Sequence, residues 1–126
     1  MENERSAVIH IAGEEYELLL TTKATKEIAA RYGGLENLGD KLLKGENFET
    51  AIGEIVWLIV LLANQTIQIH NLKSKEKKPL LEEETVELLT TPFDLAECKT
   101  AIMNALYKGT KRNVESETEP KNTQAE

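Results

Sequence analysis

The sequence has few of the residues that usually carry catalysis, metal binding or covalent cross-linking. It contains one cysteine, Cys98, so an intrachain disulfide is excluded, and its two histidines, His10 and His70, lie far apart. Neither histidine has a carboxylate or a cysteine nearby at metal-ligand spacing. The three serines lie in terminal or loop-like segments and outside any nucleophile motif. These absences predict a protein that is not an enzyme and that needs no cofactor or metal.

Positive charge is also scarce. The chain has 22 acidic and 15 basic residues, which gives a net charge of -7 at pH 7. Nucleic acids are bound largely through Lys and Arg contacts with their phosphates, so this balance opposes nucleic-acid binding. The basic stretch KSKEKKP at 73–79 lacks the aromatic residues that stack on bases, and we interpret it as a solvated connection between helices.

The apolar runs are too short to predict a membrane span. The longest run, IVWLIVLLA at 55–63, is preceded by Glu54 and followed by polar residues from Asn64 onward, whereas a spanning helix needs about 20 apolar residues. The N-terminal stretch MENERSAVIHIAGEE has the pattern of neither a signal peptide nor a transit peptide. We therefore expect no membrane association and a cytoplasmic location.

The N-terminal part predicts a β-hairpin followed by a helix. The β-prone runs AVIHI and YELLL flank AGEE, which favours a two-residue type II′ turn at Gly13-Glu14. The next segment, KATKEIAARY, predicts a helix capped by Thr21 or Thr22 and ended by Gly33-Gly34. Within it, Glu27 is spaced to pair with Arg31. A short second helix is expected to end at Gly45 and to carry three leucines on one side: Leu35, Leu38 and Leu42.

The third predicted helix runs from Phe48 to about His70, with Asn47 as its N-cap, and it contains the long apolar run. An amphipathic helix needs one apolar stripe, but this helix is apolar on nearly all sides. One interpretation is that its extra face binds a partner or another copy of the chain. The alternative is that it is simply the central core helix. The residues predicted for the extra face are Trp57, Leu58, Leu61 and Leu62.

Two more helices complete the predicted fold. One spans about Leu81 to Leu89, and the next begins with Thr91 as N-cap, Pro92 at the first position and Asp94 at the third. Its predicted inner face includes Cys98 as a small core residue and ends at Leu106. The sequence therefore predicts a mainly α fold with a small N-terminal β-hairpin (α+β), with about five helices around one long central apolar helix. The predicted domain covers 1–108, and 109–126 is predicted to be a disordered polar tail.

The block VIHIAGEEYELLLTTKATKEIAARYGGLENLGDKLL at 8–43 resembles the tail assembly chaperones of long-tailed (siphovirus-type) bacteriophages and prophages of Gram-positive bacteria. The shared pattern is a short hairpin that ends in Tyr-x-Leu, here Tyr16-Glu17-Leu18. A helix then runs into an aromatic-Gly pair, here Tyr32-Gly33, and a mostly helical remainder follows. The resemblance extends over about 1–108.

This resemblance implies a transient chaperone that binds the tape measure protein, keeps it soluble and helps recruit tail tube protein around it. Such a protein would act in the host cytoplasm and be absent from the mature virion. It would form homo-oligomers and act with a frameshifted longer form of itself. The segment Pro120-Lys121-Asn122 permits such a form. It could be encoded by CCA AAA AAC, which contains the slippery heptamer A AAA AAC at which a ribosome can shift frame.

Two interpretations from other classes stay open. The first is another phage or mobile-element structural adaptor, such as a head–tail or tail component. The second is a small acidic regulatory protein, such as an antitoxin-like protein or a DNA mimic. Gene order discriminates among the three, because a tail tube gene upstream and a very long tape measure gene downstream would favour the chaperone.

Overall fold

The computed structural model describes residues 6–38 and 48–118. Strands β1 (Ser6–Ile11) and β2 (Glu14–Leu19) form an antiparallel hairpin. The described helices are α1 (Thr22–Tyr32), α2 (35–38), α3 (Phe48–Lys73), α4 (Glu83–Leu89) and α5 (Pro92–Thr118). The predicted mainly helical fold with an N-terminal hairpin and one long apolar helix is confirmed. Three residues with predicted roles lie outside the described ranges: Leu42 on the leucine side of α2, Gly45 at its end and Asn47 as the N-cap of α3.

The hairpin turn lies one residue earlier than predicted. Ile11 pairs with Glu14, so the turn residues are Ala12 and Gly13, and both have positive φ angles, of 51° and 83°. Two positive φ angles define a type I′ turn, so the predicted type II′ turn at Gly13-Glu14 is wrong. Glycine is favoured at the second position of a type I′ turn and at the first position of a type II′ turn. The glycine signal therefore did not distinguish the two turns.

The two ends of α1 follow the sequence signals. Thr21 is the N-cap, and its Oγ1 accepts a hydrogen bond of 3.0 Å from the Ala24 amide. At the other end Gly33 adopts a left-handed φ of 87° and donates to the Ala29 carbonyl at 2.8 Å. Both contacts satisfy backbone groups that a helix leaves unpaired at its termini. They fix the point at which the chain leaves the hairpin and the point at which it turns toward α2.

Helix α3 is the centre of the core. It packs against the hairpin, α1, α4 and α5, and from Ile55 to Ala63 only Trp57 and Val60 are not buried. The chain itself therefore covers most of the circumference of this helix between Ile55 and Ala63. Such coverage stabilises the fold strongly, since burying one Leu or Ile side chain contributes about 1.5–3 kcal/mol.

Two asparagines hold the segment that returns along α3. The Asn64 side chain accepts from the Leu81 amide at 2.7 Å and donates to the Leu81 carbonyl at 3.0 Å. About two turns further along the helix, the Asn71 side chain accepts from the Lys78 amide at 2.8 Å and donates to the Lys78 carbonyl at 3.0 Å. Seven helical residues rise about 10.5 Å and three extended residues span about 10 Å, so the two repeats match. The connection between α3 and α4 is therefore a strap docked on the helix.

Helix α5 begins as predicted but ends later. The Thr91 Oγ1 accepts from the Asp94 amide at 3.2 Å, and the Asp94 carboxylate accepts from the Thr91 amide at 2.9 Å, which is a capping box. The helix continues to Thr118, so the predicted end of the helix near residue 108 is wrong. The domain boundary at 108 stays a prediction. No Gly or Pro interrupts 110–118, so the helical backbone can continue although the apolar periodicity of the sequence has ended. Disorder of 119–126 stays a prediction, because those residues lie outside the described ranges.

The turn geometry predicts the effect of substitutions at Ala12. Ala12→Asn should raise the free energy of unfolding by about 1 kcal/mol, because Asn adopts the left-handed conformation at lower cost than Ala. Ala12→Val should lower the free energy of unfolding. Urea denaturation of the two variants and the wild type measures both effects. An Asn variant no more stable than the wild type would contradict the type I′ turn.

The close approach of α5 to the end of the hairpin gives a second prediction. A Cβ atom at Gly109 would lie 2.8 Å from both Cβ and Cδ2 of Leu20. Gly109→Ala should therefore lower the free energy of unfolding by about 1–3 kcal/mol, because α5 must shift.

Gly53→Ala is the matched control, since a Cβ at Gly53 in α3 meets nothing within 4 Å. This change should raise the free energy of unfolding by roughly 0.5–1 kcal/mol through helix propensity. Thermal and urea unfolding measure both variants. If both substitutions stabilise the protein equally, α5 does not pack against Leu20 in solution.

Candidate binding surfaces

The structure places the four residues of the predicted extra face mostly inside the core. Leu58 and Leu62 are fully buried, Leu61 is 8% exposed and Trp57 is half-buried. The expectation that these residues form an uncovered face is therefore corrected. The hairpin, α4 and α5 are short, but together they cover the apolar run of α3 more completely than we expected. The structure favours the core-helix interpretation for Leu58 and Leu62.

Trp57 is covered from one side by the end of α1. The Arg31 guanidinium carbon lies 4.3 Å from the centre of the Trp57 ring, and the Tyr32 ring meets the same indole edge-on, with ring centres 6.0 Å apart. The Glu54 carboxylate, one turn earlier on α3, accepts hydrogen bonds from the Tyr32 hydroxyl and from Arg31 Nε, the latter at 3.3 Å. These contacts join the end of α1 to the start of the apolar run.

The charges in this cluster differ from the predicted pairing. Glu27 pairs with Lys23 at 3.1 Å, and Arg31 pairs with Glu54, so the expected Glu27–Arg31 pair is wrong. By turning toward α3, Arg31 stacks on the Trp57 indole and pairs with the Glu54 carboxylate, which is less exposed than that of Glu27. Burial, and next the hydrogen bond to Glu54, raises the pKa of Tyr32 to about 12. The neutral phenol is therefore the form that fits the folded state.

Neither the thiol nor the acidic residues form an evident reactive centre. Cys98 is buried on α5 as predicted, and burial, followed by the nearby charges of Asp94 and Glu97, raises the pKa of its thiol. A raised pKa lowers the thiolate fraction that nucleophilic chemistry requires. Within 6–38 and 48–118 there is no group of three or more His, Cys, Asp or Glu residues that could hold a metal ion.

One helix passes the length and composition test for a membrane span. The segment Ala51–Lys73 is 23 residues long with a mean hydropathy of 1.6, since α3 continues well beyond the apolar run that the sequence highlighted. The core helix of a soluble protein passes the same test, and 44% of the apolar window is buried inside the fold. A single helix that passes this test among the described residues is weak evidence for a membrane span.

Among the described residues, half of the six large apolar side chains that are exposed lie where α4 meets α5. Three large side chains within six residues are open to solvent there, namely Leu88 at 74%, Leu89 at 51% and Phe93 at 72% exposure. We call these three residues the α4–α5 corner. Acidic residues adjoin it, with Glu87 before it and Asp94 after it, and both are exposed. Sequence analysis missed this surface, although Leu88-Leu89 and Phe93 around a two-threonine link were a visible signal.

A second opening lies between β2 and α3. This β2–α3 groove has a volume of about 590 Å³. One wall is β2 from Glu14 to Glu17, and the other carries Thr66, Ile67 and His70 of α3. Lys78 and Pro79 of the strap close one end. The groove is mixed in polarity and lies apart from the corner in sequence.

Comparison with known proteins gives no match: no protein-family description fits the chain, and no curated protein or solved structure is significantly similar to it.

The Tyr32 cluster predicts a specific alkaline weakening of the fold. The folded-state pKa of Tyr32 is raised above the ordinary value of 10.0 to about 12. Its stabilising contribution is therefore fully present below pH 10 and is lost as the pH rises toward 12. Wild-type stability should fall over this window more steeply than that of Tyr32→Phe, which has no phenol to ionise.

Urea unfolding at intervals of pH measures this difference, and comparison of the two slopes removes the contribution of the other titrating groups. Glu54→Gln should give an intermediate slope, because it removes a carboxylate that raises the Tyr32 pKa but leaves the burial. Equal slopes for the wild type and Tyr32→Phe would show that the phenol is not held in this cluster in solution.

Proposed function

We propose that this protein is a phage tail assembly chaperone that binds and solubilises the tape measure protein and helps recruit tail tube subunits. In this proposal it acts in the host cytoplasm, without membrane or nucleic-acid association, and does not remain in the mature virion. The observation that carries the proposal is the exposed apolar α4–α5 corner on an otherwise acidic chain. The sequence pattern at 8–43, with Tyr16-Glu17-Leu18 and Tyr32-Gly33, supports the proposed likeness to tail assembly chaperones.

The corner has the chemistry needed to cover an apolar helix. A tape measure is a long helical chain whose apolar stripes stay uncovered until the tube closes around it, and exposed stripes of that kind drive aggregation. Leu88, Leu89 and Phe93 offer three exposed apolar side chains within six residues, of the type that contacts an amphipathic helix. The neighbouring carboxylates of Glu87 and Asp94 form a polar edge, as is common around protein-binding surfaces.

Charge and valency fit the transient role. A net charge of -7 keeps a chaperone–client complex dispersed through mutual repulsion. A corner of three apolar side chains gives a modest affinity per site, which allows tube subunits to displace the chaperone. Several copies, as homo-oligomers or together with a frameshifted longer form, compensate along one tape measure through multivalency.

Co-expression with the cognate tape measure protein tests this proposal. The wild-type chain, with the longer form, should move the tape measure from the pellet to the soluble fraction and remain bound to it in a pull-down. Phe93→Asn should weaken this effect, because truncating an aromatic anchor at an interface costs about 2 kcal/mol or more. Phe93 is 72% exposed, so the variant should keep the wild-type fold and Tm.

Leu72→Asn is the matched control. Leu72 is 86% exposed at the end of α3, far along the chain from the corner, and its replacement should leave solubilisation unchanged. Equal loss for both variants would indicate unspecific apolar adhesion and contradict the corner assignment. If the tape measure stays insoluble with every form and no complex survives pull-down, the chaperone proposal is wrong and a structural adaptor becomes the better interpretation.

A further inference from the structure

Among residues 6–38 and 48–118, no other strand covers the backbone groups on the outer edge of β2. The sheet has two strands, so each strand has one outer edge. The Glu17 carbonyl faces this edge, since it accepts a hydrogen bond of 3.1 Å from Thr66 Oγ1 on α3. Backbone groups alternate in direction along an antiparallel strand, so Glu15 also directs its N–H and C=O outward. The Ser6 carbonyl on β1 obeys the same alternation, because it faces away from β2 and accepts from Lys108 Nζ at 2.9 Å.

The two outer edges differ in their surroundings. Helix α5 packs along β1 and supplies Lys108 to it, whereas the edge of β2 opens into the β2–α3 groove. In the part of the chain that the structure describes, the outward amide and carbonyl of Glu15 have no hydrogen-bond partner. An open strand edge beside a groove is the geometry used in β-strand addition, in which an extended peptide supplies the missing partner groups.

The side chains along β2 define what such a peptide must carry. Glu15 and Glu17 lie on the outer face of the hairpin, where their carboxylates approach His10 at 4.0 Å and Ser6 at 3.3 Å. Tyr16 points to the other face and lines the groove with Ile67. A strand added beside β2 would therefore meet the carboxylates of Glu15 and Glu17 on one face and Tyr16, with Glu14 at the strand end, on the other.

We propose that the β2–α3 groove binds an extended basic segment of a partner protein as a third strand. The segment alternates cationic and apolar residues, so that two Lys or Arg side chains lie opposite Glu15 and Glu17 and the residue between them packs on Tyr16 and Ile67. The Glu15 backbone supplies one donor and one acceptor, and the Glu17 amide supplies a second donor. This site is separate from the α4–α5 corner and does not depend on the chaperone proposal.

Charge selects this occupant over a second copy of the chain. Three carboxylates line the groove, those of Glu14, Glu15 and Glu17, against one ammonium group from Lys78. Pairing β2 with β2 of another copy would bring these carboxylates together, and like charges on neighbouring strands destabilise a sheet. A cationic strand replaces that repulsion with cross-strand ion pairs.

Peptide binding to the full chain tests the proposal. The probe is a fluorescein-labelled acetyl-Thr-Lys-Ile-Lys-Ile-Lys-Thr-amide, measured by anisotropy at about 50 mM salt to limit screening. One control peptide has the same composition with its lysines and isoleucines in two blocks, and a second is N-methylated at alternate amides so that it cannot complete the ladder. The parent peptide should bind about tenfold or more tighter than either control. It should also slow hydrogen exchange at the Glu15 and Glu17 amides.

Two charge-matched double variants separate this site from general attraction to an acidic protein. Glu15→Gln with Glu17→Gln and Glu83→Gln with Glu84→Gln each change the net charge from -7 to -5. The first pair should weaken binding by about tenfold, whereas the second pair, on exposed α4 positions, should change it by less than about twofold. Equal weakening in both variants, equal binding of all three peptides, or no binding of the parent peptide at about 1 mM would each overturn the proposal.

Discussion

Covering helix α3 is the constraint on which the rest of the structure depends. Its apolar run leaves only a narrow stripe that is not deeply buried, and this stripe follows the 3.6-residue period through Gly53, Trp57, Val60 and Asn64. A small domain has few elements with which to cover such a helix. Each neighbouring element therefore packs on one side of α3. The hairpin and α5 cover the apolar sides, and the end of α1 and the strap lie along the stripe.

Polar groups complete the cover where apolar side chains run out. Gln65 is only 4% exposed, and its amide donates to the Leu61 carbonyl at 2.9 Å while its oxygen accepts from the Thr21 hydroxyl at 2.5 Å. Thr21 thereby caps α1 and ties it to α3 with one hydroxyl. Buried polar groups are tolerated when they are paired in this way. The asparagine-held strap follows the same rule, because Asn64 satisfies both backbone groups of Leu81.

The features that the sequence predicted well are those decided by local interactions. The Thr21 cap, the Gly33 end of α1 and the Thr91–Asp94 capping box each depend on atoms within four residues, so their patterns are visible in the chain. The hairpin turn was misplaced because one glycine satisfies two turn types. The end of α5 was misplaced because the end of the apolar periodicity in the sequence does not mark the end of helical backbone hydrogen bonding.

The candidate site was harder to predict because burial is a property of the whole fold. Leu58 and Leu88 are the same residue type in helices, yet one is fully buried and the other is 74% exposed. Their difference is set by which elements pack on α3, and helical periodicity within one segment does not contain that information. Arg31 illustrates the same limit, because its partner Glu54 is 23 residues away and displaces the expected helical neighbour Glu27.

The position of the α4–α5 corner gives α3 an indirect part in the proposed binding surface. Helix α4 has seven residues and one buried side chain, Val86, so it is too short to be stable alone. It is held by packing on α3, by the strap bond from Asn64 to Leu81 and by the Thr90 hydroxyl, which donates to the Val86 carbonyl at 2.7 Å. Leu88 and Leu89 are thus presented to solvent by a helix whose placement α3 determines. The apolar run that suggested an interface in the sequence supports, in the fold, the helix that carries the proposed one.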